Sequence, residues 1–278
     1  MMGLQGIQLL PNHQAFINRF INVCEADDHI VAAFLGGSNA KGYADQYSDI
    51  DVCVITDENA YEDFFNKRES FLRSLGELVF LEGFGIPNIA FFIFEDGTEG
   101  ELYFGSESHL AHIHSGPFRV LLDKKNILAE AVFPDDKTDP SHQTEELRHN
   151  IFRFWHEMSH FITAMGRGKL WWARGQLDEL RAICVNLVRL QNNFSDEGVG
   201  EEPYFKIEYA IDVEKLSALE TTFCPMEKNA MLQSARVIVR FYMQVAPSLS
   251  KTYGIPYPRA LETVMLERLE KLSKQIMT

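Results

Sequence analysis

Between Val31 and Thr56 the chain reads VAAFLGGSNAKGYADQYSDIDVCVIT. An apolar strand, Val31 to Leu35, runs into Gly36, Gly37 and Ser38, and a short polar segment is closed by Gly42. A second apolar strand is then entered through Asp49, Ile50 and Asp51. Side chains alternate along a strand, so Asp49 and Asp51 project from one face. Two carboxylates held that close repel each other unless a cation sits between them. Hard oxygen donors at this spacing suit Mg²⁺, which keeps several waters and takes its other ligands from phosphates. The complementary half is the turn. Gly37 lets the backbone approach a ligand, and the turn amides with the Ser38 hydroxyl offer donors to a phosphate chain. The bland alternative is a pair of surface carboxylates after an ordinary turn.

A third acid stands further along. The stretch IAFFIF-EDGT-EGELYF reads as a β-hairpin turning at Glu95, Asp96 and Gly97. On its returning strand Glu101 shares a face with Tyr103, and Leu102 with Phe104. An acid between apolar residues on a strand in mid-sheet calls for a role, whereas on an edge strand it would simply face water.

Gly37-Ser38, then Asp49-x-Asp51, then Glu101 resembles the nucleotidyltransferase superfamily with the DNA polymerase β-like fold. The resemblance implies an α+β chain: a small mixed β-sheet domain with flanking helices, followed by an all-α helical bundle. The order of parts and the segment KLWWARGQLDELRAICVNLVRL look like the branch acting on lincosamide and aminoglycoside antibiotics. By that resemblance Gly37, Ser38 and Lys41 contact the nucleotide, and Asp49 and Asp51 bind Mg²⁺, with two ions expected. Glu101 is the general base or a third metal ligand. Its glutamate, where the branch often has aspartate, leaves both roles open. The co-substrate is a nucleoside triphosphate, ATP favoured, and the departing pyrophosphate would meet Lys41, Lys169 or Arg174. The acceptor is a hydroxyl of a small molecule, an antibiotic by resemblance, with a metabolite or protein hydroxyl as the alternative.

The rest of the chain fits this division. Helical periodicity covers Asn12 to Glu25, and a second amphipathic helix ends at Gly76. The polar, proline-bounded run FPDDKTDP separates an expected catalytic domain, 1–135, from an expected helical domain, 140–278. In the latter, helices are expected over Glu145–Met165, Leu170–Leu190, Met226–Val245 and Pro258–Ile276; Asn192–Pro203 reads as a loop and Phe205–Leu219 is ambiguous. A bundle beside a sheet closes a cleft in many enzymes. Trp171, Trp172, Asp178 and Glu179 share one helix and would stack on and neutralise a cationic, ring-bearing acceptor. The favoured reading of these four is blander: tryptophans in the core, acids on a solvated face.

Composition narrows the partners. With 278 residues, 46% hydrophobic, two ordinary domains have enough apolar matter for real cores. A net charge of −14 argues against a nucleic-acid backbone as partner and is compatible with a cationic small molecule. Cys24, Cys53, Cys184 and Cys224 form no C-x-x-C pair, which points to a reducing, cytoplasmic setting. Neither a leader nor a membrane-spanning run is expected. A homodimer is an expectation for the helical domain.

Three further patterns carry less. His109, His112 and His114 are close enough in sequence for zinc, but no fourth ligand follows, and surface or capping roles are preferred. Arg153 and His160 match the R-x6-H spacing of helical nuclease domains, a pattern common by chance. A nucleotide-binding module without turnover is the reading from another class; the intact set of acids argues against it.

Overall fold

In the computed structural model, residues 11–134, 140–192 and 203–277 are described. The chain divides into two units, Met1–Asp136 and Lys137–Thr278. The expected boundary run reaches into 135–139, outside the described residues.

In the first unit, helix α1 (Pro11–Ala26) presents Phe16, Ile17, Phe20 and Cys24 to the interior at helical spacing. Strand β1 (Ile30–Leu35) is buried along its whole length. It is followed by a single helical turn, α2 (Gly37–Lys41), where the polar residues read as turn. Strand β2 (Ile50–Thr56), helix α3 (Tyr61–Leu75), β3 (Leu78–Glu82), β4 (Ile89–Phe94) and β5 (Glu99–Ser106) come next. A short 3-10 turn (Glu107–His112) leads to β6 (Arg119–Asp123).

Among the described residues the strands form one sheet in the order β3-β4-β5-β2-β1-β6. The β2–β5 pair is parallel and the other neighbours are antiparallel, so the sheet is mixed. β2 and β5 are central strands, and both faces of the sheet near them are covered. On one side Phe16 and Phe20 of α1 and Phe64 and Leu72 of α3 pack with Leu35, Val52, Phe92 and Leu102 of the sheet. On the other, Phe34, Cys53 and Ile55 meet Leu128 and Phe133. Central strands buried on both faces have no reason to carry carboxylates except at their ends, and that is where the acids lie.

The second unit is helical: α4 (Pro140–Gly166), α5 (Leu170–Gln191), α6 (Ile207–Ala210), α7 (Val213–Glu220), α8 (Lys228–Thr252) and α9 (Arg259–Met277). The ambiguous stretch before Leu219 resolves into the two short helices α6 and α7. Helix α8 runs past Val245 and through Pro247. Proline forfeits one backbone bond there, but burial of Ala246, Leu249 and Ser250 holds the last turns to the core. That core centres on Trp155 and on Phe154 stacked against Tyr242, ring centroids 3.7 Å apart. The Tyr242 hydroxyl donates to Ile151 O at 2.8 Å.

Candidate active site

The parallel pairing of β2 and β5 sets Asp51 opposite Glu101. Residues paired in register leave a sheet on the same face, so these two carboxylates are brought together by strand pairing alone. Asp49 stands one residue before β2. Ligand oxygens of Asp49, Asp51 and Glu101 all lie within 4.8 Å of one another, and the three side chains are half-buried. Gly100 makes this approach possible. A Cβ there would sit 2.2 Å from Ile50 O and 2.8 Å from the Phe92 ring.

The turn after β1 closes over the acids. The Gly36 N–H donates to Asp51 O at 2.9 Å, which pins the turn to β2. Gly37 has φ +52°, and a Cβ on it would lie 1.6 Å from Oδ2 of Asp51. Only glycine fits. Next to it, the Ser38 Oγ is buried without a hydrogen-bond partner in the protein. A buried hydroxyl without a partner is costly, and a ligand oxygen would satisfy it.

Two residues outside the expected set hold the other acid. Asn39, fully buried, donates its amide to Asp49 O at 2.8 Å, and its Oδ1 lies 3.3 Å from Nδ1 of the buried His13 on α1. In sequence Asn39 looks like one more turn residue of GGSNAKG. The signal that would mark it, burial on a one-turn helix, exists only once the chain is folded.

The electrostatics are those of crowded acids. Burial lifts the Glu101 carboxyl above the usual glutamate range, and the charge of Asp49 adds to this. Tyr103 opposes the lift by donating to Glu101 Oε2 at 2.5 Å. Its own phenol is pushed up by burial and by that carboxylate. Tyr103 was expected only to share a face with Glu101; the structure makes it the partner that orients the acid. The donor set is oxygen only, closely spaced, and capped by a turn that approaches Asp51. These residues fit a hard divalent cation such as Mg²⁺ bridging to phosphate.

The remaining candidates fall elsewhere. Lys41 lies in the last turn of α2, whose Gly42 cap bonds back to Ser38 O. Lys169, Arg174, Trp171, Asp178 and Glu179 belong to the second unit. The tryptophans are not core: Trp171 is 83% exposed and Trp172 39%. The buried tryptophan is Trp155, because α5 turns Ala173, Leu177 and Leu180 inward instead. Asp178 pairs with Arg174 and Arg181, and Glu179 with Arg153 at 2.6 Å. His109 caps its own turn through Ser106, at 2.8 Å to Oγ, and His114 packs edge-on to Phe34. Among the described residues His109, His112 and His114 do not gather as a metal group.

A family model described as streptomycin adenylyltransferase matches residues 11–272. Among solved structures, an aminoglycoside 6-adenyltransferase from Bacillus subtilis aligns with 14% identity and a TM-score of 0.46, over 95% of this chain and 99% of that one. No match is found among curated proteins. Since the family match takes in both the acidic strands and the helical unit, the chain belongs to the streptomycin adenylyltransferase family and is a nucleotidyltransferase.

Proposed function

We propose that this enzyme transfers AMP from ATP to a hydroxyl of an aminoglycoside, streptomycin first among the candidates, and releases pyrophosphate. The observation that carries the reading is the convergence of Asp49, Asp51 and Glu101 beside a turn that only glycine can make. The family match supplies the substrate class.

In this reading Asp49 and Asp51 hold Mg²⁺, two ions with help from the nucleotide. When bound, these ions offset the charge of the triphosphate and stabilise the leaving pyrophosphate. The Gly37–Ser38 turn takes phosphate oxygens, with the Ser38 hydroxyl as donor and Lys41 as a nearby cation. Glu101 draws the proton from the acceptor hydroxyl as it attacks the α-phosphorus. Its raised pKa suits a base, and Tyr103 holds Oε2 so that Oε1 is aimed. Positioning and charge do most of the work in phosphoryl transfer, and a base adds roughly 10²–10⁴-fold. On the second unit Trp171 is exposed, while Asp178 and Glu179 are already engaged by arginines.

The test is mass spectrometry of an aminoglycoside and lincosamide panel incubated with enzyme, Mg²⁺ and each nucleoside triphosphate, with pyrophosphate release followed in parallel. An adenylyl adduct on an aminoglycoside, abolished by EDTA and by Asp51→Asn, is expected. Nucleotide binding without any adduct across the panel would sink the reading in favour of a binding module.

A further inference from the structure

Helix α4 carries the run His156-Glu157-Met158-Ser159-His160. Residues four apart lie on one helix face, and the rings of His156 and His160 stand 4.4 Å apart, centroid to centroid. Glu157 lies between them. Its Oε1 is 3.3 Å from Nδ1 of His156, and its Oε2 is 3.3 Å from Nδ1 of His160. We propose that His156, Glu157 and His160 form a site for a divalent transition metal of the zinc class, separate from the acids of the first unit.

The three residues can converge on one ion, since one ligand atom from each lies within 4.8 Å of the others. Charge-assisted hydrogen bonds between nitrogen and carboxylate settle at about 2.7–2.9 Å. Two donors on a tetrahedral zinc at about 2.0–2.1 Å stand roughly 3.3–3.4 Å apart. The two imidazole–carboxylate separations of 3.3 Å, each to a different oxygen of Glu157, are long for such a bond and within reach of that geometry. Imidazole nitrogen with one carboxylate is also the donor set that zinc, cobalt and nickel prefer and Mg²⁺ does not.

The surroundings hold the carboxylate in place. With its amide nitrogen turned toward Glu157, Gln176 on α5 donates to Glu157 Oε2 at 2.8 Å and to its carbonyl oxygen at 3.3 Å. This is the kind of outer partner that orients a metal ligand. Arg153 competes, its Nε 3.6 Å from Glu157 Oε1, but its guanidinium is drawn away by Glu179 at 2.6 Å. The same five-residue spacing carries zinc on metalloprotease helices, where the glutamate is a base and a third ligand comes from elsewhere. Among the described residues no other His, Cys, Asp or Glu joins this group. Here the glutamate completes the protein's share. His156 is 65% exposed and Glu157 only 14%, so the fourth position faces solvent and takes water or a small donor ligand.

The experiment titrates the whole chain, without any histidine tag, with Co²⁺ and Zn²⁺. One equivalent of Co²⁺ is expected to give a visible ligand-field band that Zn²⁺ displaces and millimolar Mg²⁺ does not. Ni²⁺ should quench tryptophan emission, since Trp172 lies 6.0 Å from the His160 ring. The double variant His156→Asn/His160→Asn should lose both signals while keeping its circular dichroism. Gln176→Ala should weaken Co²⁺ binding by about tenfold. Absence of the band in the parent chain, or its persistence in the double variant, overturns the proposal. Neither result bears on adenylyl transfer, which is assayed separately.

Discussion

The side-chain amide of Asn39 donates a 2.8 Å hydrogen bond to the carbonyl oxygen of Asp49. Asn39 is wholly buried and is itself met by His13. One acid of the site is therefore held through its backbone by a residue with no charge of its own. Asn39→Ala leaves that carbonyl and His13 without their partner, at a cost of about 1–3 kcal/mol. Transfer should fall more than nucleotide binding. Urea unfolding and steady-state kinetics check both, and a variant with the parent's kcat would mean that Asp49 needs no such support.

Gly37→Ala puts a methyl group on top of Asp51 Oδ2 at a backbone angle that side chains seldom adopt. The carboxylate or the turn must move. Transfer is expected to drop by about 10²-fold or more, because a misplacement of about 1 Å is enough for such a loss. The helical content should stay as it was, since most helix lies in the other unit. Circular dichroism beside the kinetics separates this outcome from simple unfolding.

Glu101 titrates above its unfolded value because burial and Asp49 disfavour its charge. A raised carboxyl pKa costs nothing below the unfolded pKa and costs stability once pH climbs through the folded value. Glu101→Gln removes that cost. In the absence of divalent cations its unfolding midpoint should therefore exceed the parent's, by a margin that widens as pH rises above the ordinary glutamate value of about 4 and levels off above the raised folded one. Added Mg²⁺ should raise both midpoints, since Asp49 and Asp51 remain in each protein, while transfer by the variant stays low. A margin that is flat with pH would show that the glutamate is not held against its charge.

Two glycines should respond in opposite directions. Gly100→Ala drives a Cβ into Ile50 O between β2 and β5 and should both destabilise the first unit and spread Asp51 from Glu101. Gly175→Ala, inside α5 with nothing within 4 Å, should stabilise by about 0.5–1 kcal/mol. Chemical denaturation of each variant gives the sign. Equal effects would mean that the strand contact at Gly100 relaxes freely.

What could be read from the chain alone was whatever depends on neighbours in sequence. Alternation puts Asp49 and Asp51 on one face, the hairpin signals put Glu101 on a face with Tyr103, and helical spacing sets the acid-bearing strands apart from the helices that follow. Trp171 and Trp172 read as core in sequence and lie exposed in the fold, because an apolar residue on a helix does not itself fix which face the helix turns inward. The nearness of Asp51 to Glu101 depends on a parallel pairing between strands some fifty residues apart, and no local pattern encodes a register. The grip of Asn39 on Asp49, the bond from Tyr103 to Glu101 and the packing that forbids a side chain at Gly37 are of the same kind. They arise when distant segments exclude water from one another, and until then each of these residues is an ordinary polar group in a loop or on a strand.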